Sequence, residues 1–172
     1  MRKTKVRSRF DRLAGSYDRR WRDWVEQTVR ETLDRVDLEG VGAVLDVGCG
    51  TGTLFATIAP QREDARLTGL DLSPAMLVRA RDKVGPGAGW VCGDAARLPF
   101  RTGSFDLALS LSALHHWPDP AAGLGEIRRI LRPGGRVAIT DWCGDTWTMR
   151  LRSRVLGLFD PAPLQVQRAD DL

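Results

Sequence analysis

Between Val44 and Gly52 the chain reads VLDVGCGTG, an apolar run with one acid that leads into three alternating glycines. A glycine turn directly after a strand lets the backbone approach a ligand closely, and Gly48, Gly50 and Gly52, with Cys49 among them, suit that role. Their spacing disfavours the two common phosphate cradles. A dinucleotide fingerprint, G-x-G-x-x-G, needs glycine where Thr53 stands, and a P-loop needs lysine and a hydroxyl residue where Thr53 and Leu54 follow. Asp46, two residues before Gly48, would repel a pyrophosphate but stabilise an ammonium group, directly or through a water. Two further acids end the next two apolar runs. Asp71 in LTGLD lies about 20 residues past the glycines, where an acid accepts from ribose hydroxyls, and Asp94 in VCGDAARLPF is placed to accept from an adenine amino group. Together these residues describe an adenosine joined to an amino acid.

Proton chemistry has fewer candidates. His115 and His116, in SALHHWPD, are the two histidines of the chain, and either could take a proton near neutral pH. Asp141 is a weaker candidate of the same kind. The plainer reading is a turn in which histidine bonds the backbone. Cys49, Cys92 and Cys143 lie far apart in no CxxC pair, so neither a metal site nor a disulfide framework is expected, and a reducing cytoplasm fits.

Strand ends and helix starts must hold these residues. AVLDVG reads as a buried strand, TGTLFATIAP as a helix ended by Pro60, ARLTGLD as a second strand, and SPAMLVRARDKV as a helix capped by Ser73 with Pro74 in its first turn. GWVCGD, FDLALSLS and RVAITDW are further strands, and DPAAGLGEIRRILR is a helix stopped by PGG. The alternation predicts an α/β, Rossmann-like, doubly wound parallel sheet of about five strands with helices on both faces, over residues 41–142. Ahead of it, residues 8 to about 36 place Leu13, Tyr17, Trp21, Trp24, Val25, Val29, Leu33 and Val36 three to four apart. Residues 1–40 therefore read as N-terminal helices packed on the same domain. Residues 143–172 read as a helix and a tail.

In these pieces the chain resembles the class I S-adenosylmethionine-dependent methyltransferases, within them the type 11 branch related to ubiquinone and menaquinone biosynthesis. VLDVGCGTG, LTGLDLSPAML, GDAARLPF, FDLALSLSALHHW and ILRPGGRVAITDW carry the resemblance, in family order and spacing, over roughly residues 10 to 142. It implies methyl transfer from S-adenosyl-L-methionine to a small-molecule acceptor by in-line displacement, with the protein aligning the nucleophile and excluding water. It also implies roles by position. Gly48, Cys49, Gly50 and Gly52 would approach the methionine part of the cofactor, with Asp46 near its ammonium. Asp71 would bind the ribose hydroxyls, Leu72 and Met76 would lie against the adenine, and Asp94 with Ala95 would meet the adenine edge. Ser110 and Leu111 would close the site from the fourth strand, and Tyr17 would cap the cofactor. His116, at the family's recurrent position, is expected to contribute more than His115.

Composition narrows the partners. A chain of 172 residues suits one domain. Its net charge of +4 comes from arginines concentrated before residue 36 and in RRILRPGGR and MRLRSR. Such a balance admits nucleic acid or an anionic surface, but the arginines are interleaved with acids. SLSALHHW also stands where base methylation usually shows an N/D-P-P-Y-like run, so nucleic acid is not the expected acceptor. No run approaches the ~20 apolar residues of a membrane span, and DRLAGSYDRR follows the basic opening where a signal peptide would need an apolar segment.

One departure from the family pattern stands out. Members continue past the fifth strand into a helix and two antiparallel strands, for which QVQRADDL leaves too little chain. The sequence thus predicts a truncated C-terminus without those strands and a fifth-strand edge open to aggregation or to a homodimer. A non-catalytic cofactor-binding or interaction module is the alternative this leaves, with RNA methylation as a further one, while Asp46 and Thr53 disfavour a nicotinamide oxidoreductase. Trp142, Trp147 and Phe159 hint at an apolar acceptor.

Overall fold

The computed structural model describes residues 3–141; the helix and tail expected beyond them, with Trp142, Cys143, Trp147 and Phe159, lie outside the described residues. Two helices, α1 (Lys3–Leu13) and α2 (Tyr17–Leu33), precede the alternating part. That part runs β1 (Ala43–Val47), α3 (Thr53–Ile58), β2 (Arg66–Asp71), α4 (Pro74–Val84), β3 (Gly89–Cys92), β4 (Phe105–Leu111), α5 (Pro120–Ile130) and β5 (Leu131–Thr140). All five strands are parallel, in the order β3-β2-β1-β4-β5. The chain walks outward from β1 through β2 to β3, then returns to the other side of β1 for β4. In open α/β sheets ligands bind at the carboxyl ends of the strands where this reversal occurs.

Strand parity divides the core. Ala43, Leu45 and Val47 of β1 join Phe105, Ala108, Ile127 and Ile130 on one face of the sheet. Val44 joins Leu54, Phe55, Ile58, Leu107 and Leu109 on the other, under Val29 of α2. Because side chains alternate along a strand, Asp46 shares the face of Val44 and is carried under α2, away from water. It is buried.

Two boundaries differ from the sequence reading, and a third is set within it, each for a local reason. The N-terminal helices number two. They break at Gly15 and Ser16, poor helix formers, and the Ser16 hydroxyl bonds the Leu13 carbonyl at 3.3 Å. Pro60 does not end α3 directly; Ile58 does, and Ala59–Gln61 tightens into a 3₁₀ turn. The fifth strand starts at Leu131, so PGG lies inside it rather than before it. A register shift between Phe105 and Leu107 absorbs the irregularity, and Gly134 takes a φ of +78° there. Ser73 caps α4 as expected, its hydroxyl accepting the Met76 amide at 3.2 Å.

Candidate functional site

The loop after β1 spends its amides on its own chain. Gly48 and Cys49 N–H both donate to the Leu70 carbonyl, at 2.7 and 3.0 Å, and Gly52 N–H donates to the Cys49 carbonyl at 2.9 Å. Gly50 N–H donates to Asp71 Oδ2 at 2.9 Å. A phosphate cradle aims such groups at the anion, so this loop is not built as one. It is built for close approach. At Gly48, with φ of +80°, an added Cβ would lie 2.5 Å from that of Ala113, whereas at Gly50 nothing stands within 4 Å. Gly48→Ala is expected to cost about 2–5 kcal/mol, from left-handed backbone strain and overpacking. The check is a lower urea midpoint at unchanged m value.

Two adjoining cavities open on this loop. The larger, about 90 Å³, is bordered by Asp71, Leu72, Met76, Asp94 and Ala95 from the sheet side and by Val6, Phe10, His116 and Trp117 opposite. The smaller, about 50 Å³, holds Asp46, Cys49 and Thr51 beneath Thr28 and Val29. Tyr17, Gly48, Gly50, Leu111 and Ser112 border both and form the neck between them. A wider groove of about 580 Å³ runs along α2 with mixed charges, Arg22, Glu26, Arg30 and Asp34 among them, and includes none of the strand-tip acids.

Two expected residues stand away from the cavities and one residue is added. Gly52 borders neither cavity and faces Trp90 and Ala80 instead. Ser110 does not border either cavity: it is fully buried and its hydroxyl donates to the Val47 carbonyl at 2.9 Å, which ties β4 to β1. Ser112, two residues on, stands at the neck with a φ of +51°, the one positive value at a non-glycine among the described residues. Its N–H is held by the Thr140 carbonyl at 2.7 Å. Strained non-glycine backbone of this kind gathers at functional sites, but nothing in the pattern of serines marks it beforehand.

The three acids occupy different surroundings. Burial, with the charge of Asp71 nearby, pushes Asp46 up to about 8. None of the ion pairs among the described residues involves Asp46. Asp71 is also raised by burial, against the pull of the Ser73 and Gly50 amides, which its carboxylate accepts at 2.8 and 2.9 Å. It therefore braces the loop and the start of α4 as well as facing the larger cavity. Asp94 accepts the Ala96 amide at 3.1 Å and pairs with Lys3 of α1, so a nucleobase would compete with that lysine.

The N-terminal helices close the cleft from above. Asp11 accepts from the Ser73 hydroxyl at 2.6 Å, and Asp18 accepts from the Thr51 hydroxyl at 2.5 Å and pairs with Lys83 at 2.8 Å. Tyr17 lies between Phe10 and Trp21, with ring centroids 6.4 and 4.8 Å away. Burial, then the nearby Asp71 and Asp18, raise its phenol to about 12, so it is a neutral donor at any working pH.

The histidines divide their roles. His116 borders the larger cavity and packs edge-on against Phe10 at 4.9 Å. Burial, with His115 and Arg9 nearby, pushes it down to about 2, so it stays neutral and is a poor base. His115 instead has the carboxylate: its Nδ1 lies 2.6 Å from Asp141 Oδ1, and its amide donates to Asp141 Oδ2 at 3.2 Å. An ionised carboxylate can only accept, so the ring donates from Nδ1. The ends of β4 and β5 thus assemble the one histidine–carboxylate pair among the described residues, which the preference for His116 missed because Asp141 is remote in sequence.

Known proteins place this geometry. A family model described as a methyltransferase domain matches residues 45–139, from β1 through nearly all of β5. A malonyl-[acyl-carrier protein] O-methyltransferase of Methylovorus sp. is 36% identical over 155 residues, 84% of this chain and 52% of that protein. A demethylmenaquinone methyltransferase of Beutenbergia cavernae is 35% identical over 137 residues, 80% of this chain and 53% of that protein. The chain thus spans about half the length of these curated relatives. In fold it superposes on a SAM-dependent methyltransferase of Thermotoga maritima with a TM-score of 0.78 at 22% identity, covering 96% of this chain and 76% of that one. With the glycine loop, the acid ending β2 and the parallel sheet all inside the matched segment, the chain belongs to the class I S-adenosylmethionine-dependent methyltransferases, type 11 branch.

Proposed function

We propose that the chain binds S-adenosylmethionine across the double cavity and transfers its methyl group to an apolar small-molecule acceptor. One observation carries the reading: a buried carboxylate, Asp46, raised to about 8 and without a cationic partner among the described residues, sits one neck away from Asp71. Such a group waits for a cation. The donor's ammonium fits the Asp46 cavity and its ribose fits Asp71, with Leu72, Met76, Ala95 and the displaced Lys3 partner Asp94 around the base. The two cavities are smaller than the roughly 300–1,000 Å³ of typical small-molecule sites, so α1 and Tyr17 shift when the site fills.

When bound, the donor supplies a sulfonium-activated methyl group. The chain's part is alignment and exclusion of water. Tyr17, Leu111 and Ser112 hold the neck, and Phe10 and Trp117 give the acceptor side an apolar wall. Where the nucleophile arrives protonated, the histidines after β4 are the groups to take the proton: His116 on the larger cavity, and His115, backed by Asp141, 3.9 Å behind it between ring centroids. The relatives are named for a malonyl group on a carrier protein and for a demethylmenaquinone, which makes malonyl thioesters and isoprenoid hydroquinones the first acceptors to try.

The test is transfer of a labelled methyl group from S-adenosylmethionine to those two acceptor classes. Incorporation into either supports the reading, and donor binding without transfer to any acceptor favours a binding module instead. For an active acceptor, Asp141→Asn is expected to lower turnover by about 10²-fold or more while leaving donor affinity unchanged by calorimetry. Pairing of two chains through the outer edge of β5, one of the two edges of the sheet among the described residues, belongs to the same proposal. Light scattering would then give twice the 19.1 kDa chain mass.

A further inference from the structure

Charge is distributed unevenly over this molecule. Residues 3–22 hold eight Lys or Arg and two Asp, so this stretch alone exceeds the net charge of +4 carried by all 172 residues. Asp18 is committed inward to Thr51 and Lys83, and Asp11 is shared between the Ser73 hydroxyl and Arg7 of its own helix, 3.7 Å away. On α1 the apolar side is also spent inward: Val6 is buried, and Val6 and Phe10 wall the larger cavity. Lys5 and Arg12 are exposed on α1, and Arg19 and Arg20 are exposed in the first turn of α2, just across the Ala14–Ser16 break. None of these four enters an ion pair among the described residues. Arg20 lies over the half-buried Trp21 ring, 5.2 Å from its centroid, which holds its guanidinium at the surface.

We infer that this cationic collar, formed by the same helices that cover the cleft, docks the protein on an anionic bilayer surface. The inference rests on the proposed apolar acceptor. Such a molecule partitions into membranes, and a covering element that is itself basic would bring the mouth of the cleft to it. Each Lys or Arg near an anionic surface adds attraction that salt screens. Insertion is not part of the mode, because the apolar residues of α1 already face the domain and no helix among the described residues is long and apolar enough to cross a membrane. Nucleic acid, the other polyanion such a collar could meet, is less suited. The cavity is walled by Val6, Phe10 and Trp117, and none of the four cations lines the groove along α2.

Flotation of the full chain with phosphatidylcholine vesicles, with and without about one third phosphatidylglycerol, tests this. Binding to the anionic vesicles alone, weakened between about 0.1 and 0.5 M NaCl, is expected. The triple variant Lys5→Glu/Arg12→Glu/Arg19→Glu should lower that binding by about tenfold or more. The control Arg101→Glu/Arg128→Glu, at exposed sites elsewhere, should not. Equal binding to neutral vesicles, no binding to anionic ones, or an unaffected triple variant would overturn the inference. So would single-stranded RNA that binds the same residues more tightly than the vesicles do. Calorimetric donor affinity, unchanged in the triple variant, separates failure of docking from failure of the methyl-transfer reading.

Discussion

Asp46→Asn is expected to make the free protein more stable and nearly unable to bind S-adenosylmethionine. The carboxyl is buried and pushed up to about 8, from an unfolded value near 4. A raised value in the folded state means that the stabilising contribution is complete below about pH 4 and is lost as pH rises through about 8. At pH 8–9 the wild-type protein keeps an ionised, desolvated carboxylate beside Asp71, a cost on the order of a few kcal/mol. The amide variant has the same shape without the charge. Thermal unfolding should therefore show a higher Tm for Asp46→Asn at pH 8.5, a gap that closes toward pH 5. Donor affinity should fall by about 10²–10³-fold, since a buried ammonium would then lack its counter-charge. A variant that binds as tightly as wild type would remove Asp46 from the cationic end of the ligand.

The second large effect is at Asp71. Two charge-assisted hydrogen bonds to ribose hydroxyls, at about 1.5–3 kcal/mol each, make Asp71→Ala weaken donor binding by roughly 10³-fold. The same substitution also disturbs the fold. The carboxylate also accepts the Gly50 and Ser73 amides, so the alanine variant strands two N–H groups and loosens both the glycine loop and the start of α4. A stability loss of about 2–4 kcal/mol is expected with it. Asp71→Asn keeps one acceptor oxygen and separates the two roles: it should recover part of the stability and little of the affinity. Chemical denaturation and calorimetry on the pair of variants read this directly, and equal affinity for all three proteins would refute the ribose assignment.

Much of this cleft is legible along the chain because local rules and the fold agree. The alternation of apolar runs with capped helices specifies parallel strands, and parallel strands place Asp46, Asp71 and the Asp94 turn at one end of the sheet. Ser73 and Pro74 announce α4 unaided. What stays hidden is set by parity and by distance. Ser110 and Ser112 differ by two residues and by nothing in type. The ladder to Val47 uses the hydroxyl of the first, and the strained turn held by Thr140 puts the second at the neck. His115 meets Asp141 only because β4 and β5 are neighbours, and His116 meets Phe10 only because α1 folds over the cleft. The amphipathic spacing continues across Gly15 and Ser16, so it gives the N-terminal helices without the place where they divide.

Titrating S-adenosylmethionine into the protein at pH 7, in two buffers of different ionisation enthalpy, reads the proton on Asp46 as the donor binds. An ammonium that lands on a carboxyl held near pH 8 must expel its proton. Saturable binding with close to one proton released per site is expected, and none released by Asp46→Asn at high donor concentration. Binding whose heat is the same in both buffers, or no binding at all, would contradict it.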